Sequence, residues 1–208
     1  MEGTATVVKH TGSHYLLAQL PSWRLFPAVL RGKVRLGGSS ATNPVAVGDR
    51  VEFHADGDLL PDGSVPASET APAAITRILP RRNYIIRKSV NLSRQAHIIA
   101  ANVDHAFIVV TLEFPEVKLP FIDRLLVTCE VYGVKPVIVL NKIDIVDEFR
   151  DDFAPALENF HRIYEGAGYS ILEVSAKTGR GVDELRRLCL EKSEDGAPGI
   201  SLFSGVSG

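Results

Sequence analysis

Two cysteines, one methionine and one tryptophan are all that the 208 residues carry of those types. Cys129 and Cys189 are too few for a disulfide framework and lack the spacing of a metal cluster; each lies in an apolar, helix-like segment and reads as a buried core thiol. Long apolar runs are missing as well. No stretch approaches the ~18 consecutive apolar residues of a membrane span, and the opening MEGTATVVKH lacks the apolar core of a signal peptide. A cytoplasmic protein without a membrane partner is the expectation. The six histidines are scattered without ligand spacing, so no metal site is expected within this chain. What is present is ordinary for a globular protein: 45% hydrophobic and 23% charged residues exclude a disordered or fibrous chain. The length gives room for one large or two small domains.

The net charge of −2 conceals an asymmetry. Residues 1–80 carry seven basic and seven acidic side chains. Residues 81–101 carry Arg81, Arg82, Arg87, Lys88 and Arg94 with no acid, and residues 102–208 carry 11 basic against 18 acidic side chains, or −7. A basic stripe of this kind suggests contact with a polyanion, most simply a phosphate backbone, though charge runs are as often solvated faces.

The periodicity divides the chain in the same way. ATVVKH, SHYLLAQL, FPAVLRGKVRL and DRVEFHA alternate apolar with polar residues and are separated by Gly, Pro, Asn or Asp turns, which predicts short antiparallel strands. Residues 54–74 are rich in Pro, Ser, Ala and Gly and read as a long loop. About five strands in the first 80 residues fit an oligonucleotide/oligosaccharide-binding (OB) barrel, with an SH3-like barrel nearly as good. Residues 81–101 then form a basic connector. From residue 102 the pattern changes: HAFIVVTL, KPVIVLN, YSILEVSA and GISLFSG read as buried parallel strands. Between them, FIDRLLVTCEVYG, DDFAPALENFHRIYEGAG and VDELRRLCLEK read as helices. Alternation of this kind describes an α/β doubly wound sheet, whose ligands sit at the carboxyl ends of its strands.

Those carboxyl ends hold Asn141-Lys142-Ile143-Asp144 and, about 30 residues on, Ser175-Ala176-Lys177. Guanine presents N1–H and an exocyclic amine side by side, and one carboxylate accepts both, so Asp144 suits the choice of guanine over adenine. Asn141 can tie neighbouring loops and reach N7, and the stems of Lys142 and Lys177 can cover the flat faces of the base. The Ala176 amide can donate to O6, and Ser175 can hold Asp144. Alone, N-K-x-D is a weak signal, because Asn and Asp are natural helix caps. Paired with Ser-Ala-Lys at the end of a second buried strand it favours a guanine pocket.

NKID, SAKTGRG and the ending SLFSGVSG, together with RGK at 31–33, PVAVGDRVEF at 44–53, ANVDHAFIVV at 101–110 and the block FIDRLLVTCEVYGVKPVIVLNKID, resemble the ribosome small-subunit-dependent GTPase A family. These are circularly permuted GTPases of ribosome biogenesis, in which the base-recognition motifs precede the phosphate loop. The resemblance implies an OB-like barrel followed by a circularly permuted Ras-like, P-loop-type GTPase domain, GTP/GDP with Mg2+, a zinc-binding C-terminal part, and the small (30S) ribosomal subunit and its rRNA as partners. It implies GTP hydrolysis stimulated by the ribosome, in late maturation of that subunit, by a protein that is a monomer when intact. Arg31, Lys33, Arg35, Arg81, Arg82, Arg87, Lys88 and Arg94 are the candidate RNA contacts, with Tyr15 and Trp23 as possible stacking residues although barrel aromatics more often belong to the core. Asp123 and Arg124 are expected to make a local ion pair or a helix-start contact.

A phosphate loop reads G-x-x-x-x-G-K-[ST], and Gly205-Val206-Ser207-Gly208 supply its first four positions. On this basis the chain reads as truncated within the loop. Its catalytic, magnesium and zinc groups are expected beyond Gly208, and the fragment by itself is expected to hydrolyse nothing. Its last strand, 199–205, is expected to be an open edge prone to self-association. The alternative is a non-catalytic RNA-binding module whose α/β part is a scaffold.

Overall fold

A computed structural model of the protein describes residues 1–30, 44–88, 96–116, 118–194 and 196–205. The chain forms two compact units, Met1–Asn102 and Val103–Gly208.

In the first unit, β1 (Glu2–Thr11), β2 (His14–Gln19), β3 (Arg24–Leu30), β4 (Arg50–His54) and β5 (Ala73–Ile78) close into a barrel in the order β1-β2-β3-β5-β4. The alternation in the sequence explains which residues face inward: Ala5 and Val7, Tyr15 and Leu17, Phe26 and Ala28, Val51 and Phe53, Ala73 and Ile75 are all buried. The Phe26 and Phe53 rings meet at 4.8 Å between centroids in a tilted pair. β4 returns to β1 with Ala5 opposite Val51, which removes the sheet edges. A closed five-stranded barrel of this order is OB-like, and the SH3-like alternative is set aside.

Residues 81–101 are more than a connector. They contain a hairpin of β6 (Tyr84–Lys88) and β7 (Ala96–Ala101). It is stitched to the barrel unit by the Ala101 amide donating to Val47 O at 2.9 Å. Gly48 makes this approach possible: at φ 89° a Cβ there would lie 2.0 Å from Ala101 O, so no other residue fits. Arg81 departs from its expected role as a phosphate contact. Its Nε and Nη2 donate to the two oxygens of the fully buried Asp49, each at 2.6 Å, and Nη2 also donates to Pro44 O. The bidentate geometry satisfies both charges internally, so Arg81 fastens the hairpin to the barrel and has no free face for RNA.

The second unit contains β8 (His105–Val110), α1 (Leu119–Val131), β9 (Lys135–Leu140), α2 (Ile143–Glu148), α3 (Arg150–Gly166), β10 (Ile171–Glu173), α4 (Val182–Cys189) and β11 (Ser201–Gly205). The strands form a parallel sheet ordered β10-β9-β8-β11. Both faces are covered, as the apolar runs require. Ile108, Ile138 and Leu140 pack with Ile122, Leu126, Phe160 and Tyr164 of α1 and α3, while Phe107, Val137 and Val139 meet Leu185 and Leu188 of α4. β11 lies at the sheet edge beside β8. β10 is shorter than the expected 169–176, because at Val174 the chain turns into the loop that carries Ser175.

Asp123 does not pair with Arg124; its Oδ1 accepts the Tyr164 hydroxyl at 3.1 Å, and burial together with this carboxylate pushes that phenol well above its ordinary range. Cys129 is buried and burial pushes its thiol up to about 11, whereas Cys189 is only half-buried.

Candidate guanine-binding site

The carboxyl ends of β9 and β10 are neighbours in the sheet, which brings the two loops together. The Asn141 amide continues the β-ladder onto Val110 O at 2.8 Å. Lys142 then adopts the left-handed conformation at φ 64°, which is uncommon for a residue with a side chain. The chain turns there, so that the fully buried Ile143 donates to Val174 O at 3.1 Å and anchors α2, with Asp144 in its first turn. The Lys142 ammonium donates to Phe114 O, and Thr111 Oγ1 holds the same 111–115 loop through Pro115 O at 2.7 Å.

From the other side, Ser175 is fully buried and acts as the hub of its loop. Its hydroxyl donates to Asp144 Oδ1 at 2.6 Å and accepts the Thr178 amide at 3.1 Å. Its amide donates to Arg180 O at 2.9 Å, and its carbonyl accepts the Gly179 amide at 2.8 Å, closing a tight turn. Gly181 ends that turn at φ 72°, where a Cβ would meet Glu173 O at 2.2 Å. Asn141 Oδ1 accepts the Ala176 amide at 3.1 Å, a second tie between the loops.

The arrangement leaves Asp144 with one oxygen oriented by Ser175 and the other, Oδ2, facing Lys177 Nζ at 3.9 Å. The carboxylate is 17% exposed, and Lys177 is largely in solvent. A partly desolvated carboxylate fixed by a buried hydroxyl is suited to accept two adjacent N–H groups. The Ala176 amide is placed differently from the expected free donor: Asn141 occupies it, so a ligand carbonyl would share that hydrogen bond or replace it.

Of the other candidates, Gly205 ends β11 against Val109, and Val206, Ser207 and Gly208 lie outside the described residues. So do Arg31, Lys33, Arg35 and Arg94. Arg87 and Lys88 lie on β6. Arg82 donates to Asn102 O at 3.2 Å. Tyr15 belongs to the barrel core, while Trp23 is 54% exposed. Among the described residues no group of three or more His, Cys, Asp or Glu side chains could hold a metal.

The residues that sequence reasoning passed over are Arg180, Asp147 and Glu173. Arg180 Nη1 pairs with Asp147 Oδ2 and Nη2 with Glu173 Oε2 at 3.0 Å. The arginine was visible inside SAKTGRG, but its partners come from α2 and β10 and emerge only when the chain is folded.

The model of the RsgA GTPase family matches residues 78–208. Among curated proteins, the small ribosomal subunit biogenesis GTPase RsgA of Flavobacterium psychrophilum is 38% identical over 205 residues, which are 99% of this chain and 57% of the relative. The protein of the same name from Porphyromonas gingivalis is 41% identical over 203 residues, 97% of this chain and 58% of the relative. This chain thus spans less than three fifths of the length of these relatives. Among solved structures, YjeQ from Thermotoga maritima superposes with a TM-score of 0.70 at 30% identity, over 100% of this chain and 62% of that one. YloQ, described as a circularly permuted GTPase, superposes over 100% of this chain and 61% of that one with a TM-score of 0.65 at 19% identity, which bears on the fold alone. Together with the order of the loops along the sheet, these matches place the chain in the RsgA GTPase family.

Proposed function

We propose that the protein recognises the guanine base of GTP and GDP between its two loops, and that the complete protein hydrolyses GTP in the cytoplasmic maturation of the small ribosomal subunit. The observation that carries the proposal is the Ser175–Asp144 hydrogen bond, which aims a carboxylate where guanine presents N1–H and its amine. Adenine offers an acceptor at N1 and only a C–H in place of the 2-amine, so it would leave that carboxylate facing the N1 lone pair without a donor. Asn141 fixes the distance between the loops, and Lys142 and Lys177 flank the base with their alkyl stems.

Magnesium bound with the nucleotide would neutralise charge on the phosphates, and among the described residues no cluster of three or more His, Cys, Asp or Glu side chains could hold a metal ion. Contact with rRNA through Arg31, Lys33, Arg35, Arg82, Arg87, Lys88 and Arg94 belongs to the same proposal, as does ribosomal stimulation of turnover. The same reading takes the protein to act as a monomer.

The test is turnover of GTP against ATP with and without purified small ribosomal subunits. Guanine-specific turnover by the complete protein, accelerated by the subunits, is the expected result. Equal turnover of ATP, or indifference to the subunits, would overturn the proposal.

A further inference from the structure

Two hydrogen bonds tie the loops at the candidate base site, Ser175 to Asp144 Oδ1 at 2.6 Å and the Ala176 amide to Asn141 Oδ1 at 3.1 Å, and of the two only the first holds the Asp144 carboxylate itself. A further fastening of α2 lies beside it. Asp144 and Asp147 are three residues apart on α2 and therefore adjacent on one helix face. Ser175 and Arg180 are the two ends of one turn, closed by the Ser175 amide on Arg180 O at 2.9 Å. Ser175 grips Asp144, and Arg180 grips Asp147, so the turn meets the helix at two points.

The grip extends behind the turn. The other amino group of Arg180 holds Glu173 Oε2 at 3.0 Å, at the end of β10. Glu173 Oε1 lies 3.0 Å from His161 Nε2 on α3, and His161 Nδ1 lies 3.0 Å from Glu165 Oε1. One guanidinium thus joins α2, β10 and the base-recognition turn, with α3 bracing Glu173 from the far side. A planar fork can span two carboxylates in this way where a point charge cannot.

We infer that Arg180 is a positioning residue for guanine selectivity: through Asp147 and Glu173 it holds the Ser175 turn square to Asp144. The inference rests on the base-recognition reading given above. As an exposed ion pair the bridge contributes little to global stability. Its effect falls on aim, because a recognition site loosened by a fraction of an ångström loses the hydrogen bonds that depend on direction before it loses those that do not.

Inosine diphosphate supplies the readout, since it keeps N1–H and O6 but lacks the exocyclic amine that the second Asp144 lone pair accepts. The GDP-to-IDP affinity ratio therefore reports the aim of Asp144, and a general loss of structure lowers both affinities alike. Arg180→Met is expected to lower that ratio about fivefold, a loss typical of one weakened hydrogen bond, with the thermal midpoint little changed. Asp147→Asn breaks the same bridge from the helix side without touching Arg180 and is expected to match it. The double variant is expected to fall no further than either single one, as for two partners of one contact. Arg150→Ala removes the other partner of Asp147, at 3.0 Å, and is expected to leave the ratio unchanged. A wild-type protein that prefers GDP, with Arg180→Met and Asp147→Asn keeping its ratio, overturns this inference and leaves base recognition standing. A wild-type protein that binds GDP, IDP and ADP alike overturns both.

Discussion

Asp144→Asn is the perturbation whose outcome follows most closely from the geometry. The amide has the shape of the carboxylate, and its oxygen can still accept the Ser175 hydroxyl that lies 2.6 Å from Oδ1. Ser175 therefore selects which way the amide faces, leaving NH2 at the position of Oδ2. Guanine then loses one charge-assisted hydrogen bond, and its 2-amine confronts another donor. With the side chain only 17% exposed, water compensates little. A charge-assisted bond contributes about 1.5–3 kcal/mol, and the unpaired donors add a cost of similar kind, so the loss for GDP is about 3–4 kcal/mol, or roughly 10²–10³-fold in affinity. Xanthine carries a carbonyl in place of that amine and becomes complementary to the new amide. Competition of GDP, xanthosine diphosphate and ADP for a fluorescent guanine nucleotide measures all three affinities on one sample, with circular dichroism to check folding. The variant is expected to prefer the xanthine nucleotide. A folded variant that binds GDP within about threefold of the original refutes the assignment of Asp144 to the base edge.

Three further outcomes follow from the structure. Arg81→Met leaves the fully buried Asp49 with only the Ala46 amide at 2.8 Å among these contacts, so chemical denaturation should show a loss of about 3–5 kcal/mol; a loss under 1 kcal/mol contradicts the pairing. His105 is held below its ordinary range, first by burial and then by Lys135, with Glu191 and Asp104 opposing. The unfolded chain takes up a proton near pH 6.5 that the folded one refuses. Stability is therefore present above that pH and lost as pH falls below it, and His105→Gln should flatten the fall of the melting temperature between pH 7 and 5.5. Cys129, with its thiol pushed up to about 11 behind the α1 packing, should resist alkylation at pH 8 while half-buried Cys189 reacts, as peptide mass mapping would show.

Both halves of the architecture, and the strand ends that bring NKID and SAK together, were legible in the sequence because the information is local. Alternation along β1 to β5 fixes the inward face of each strand. NKID and SAK lie where the buried strands β9 and β10 end, side by side in the sheet. What was not legible depends on approach between distant segments. The run RRNYIIRK reads as a charged linker because nothing local shows that Gly48 will admit Ala101 within van der Waals contact. Arg81 reads as a free cation because its partner, Asp49, lies 32 residues earlier. Asp123 has Arg124 next in sequence, yet adjacent helix residues point apart, and Tyr164 on α3 takes the carboxylate instead. The role of Arg180 is hidden for the same reason, since Asp147 is 33 residues away.

The central claim is that the Asn141–Asp144 and Ser175–Lys177 loops read guanine. Calorimetric titration with GDP and with ADP under identical conditions tests it most directly, because the two ligands share their phosphates and ribose and differ only in the base. GDP binding at least about 100-fold tighter than ADP is predicted, the equivalent of roughly two well-directed hydrogen bonds gained on one base and refused by the other. Equal affinities would contradict the claim.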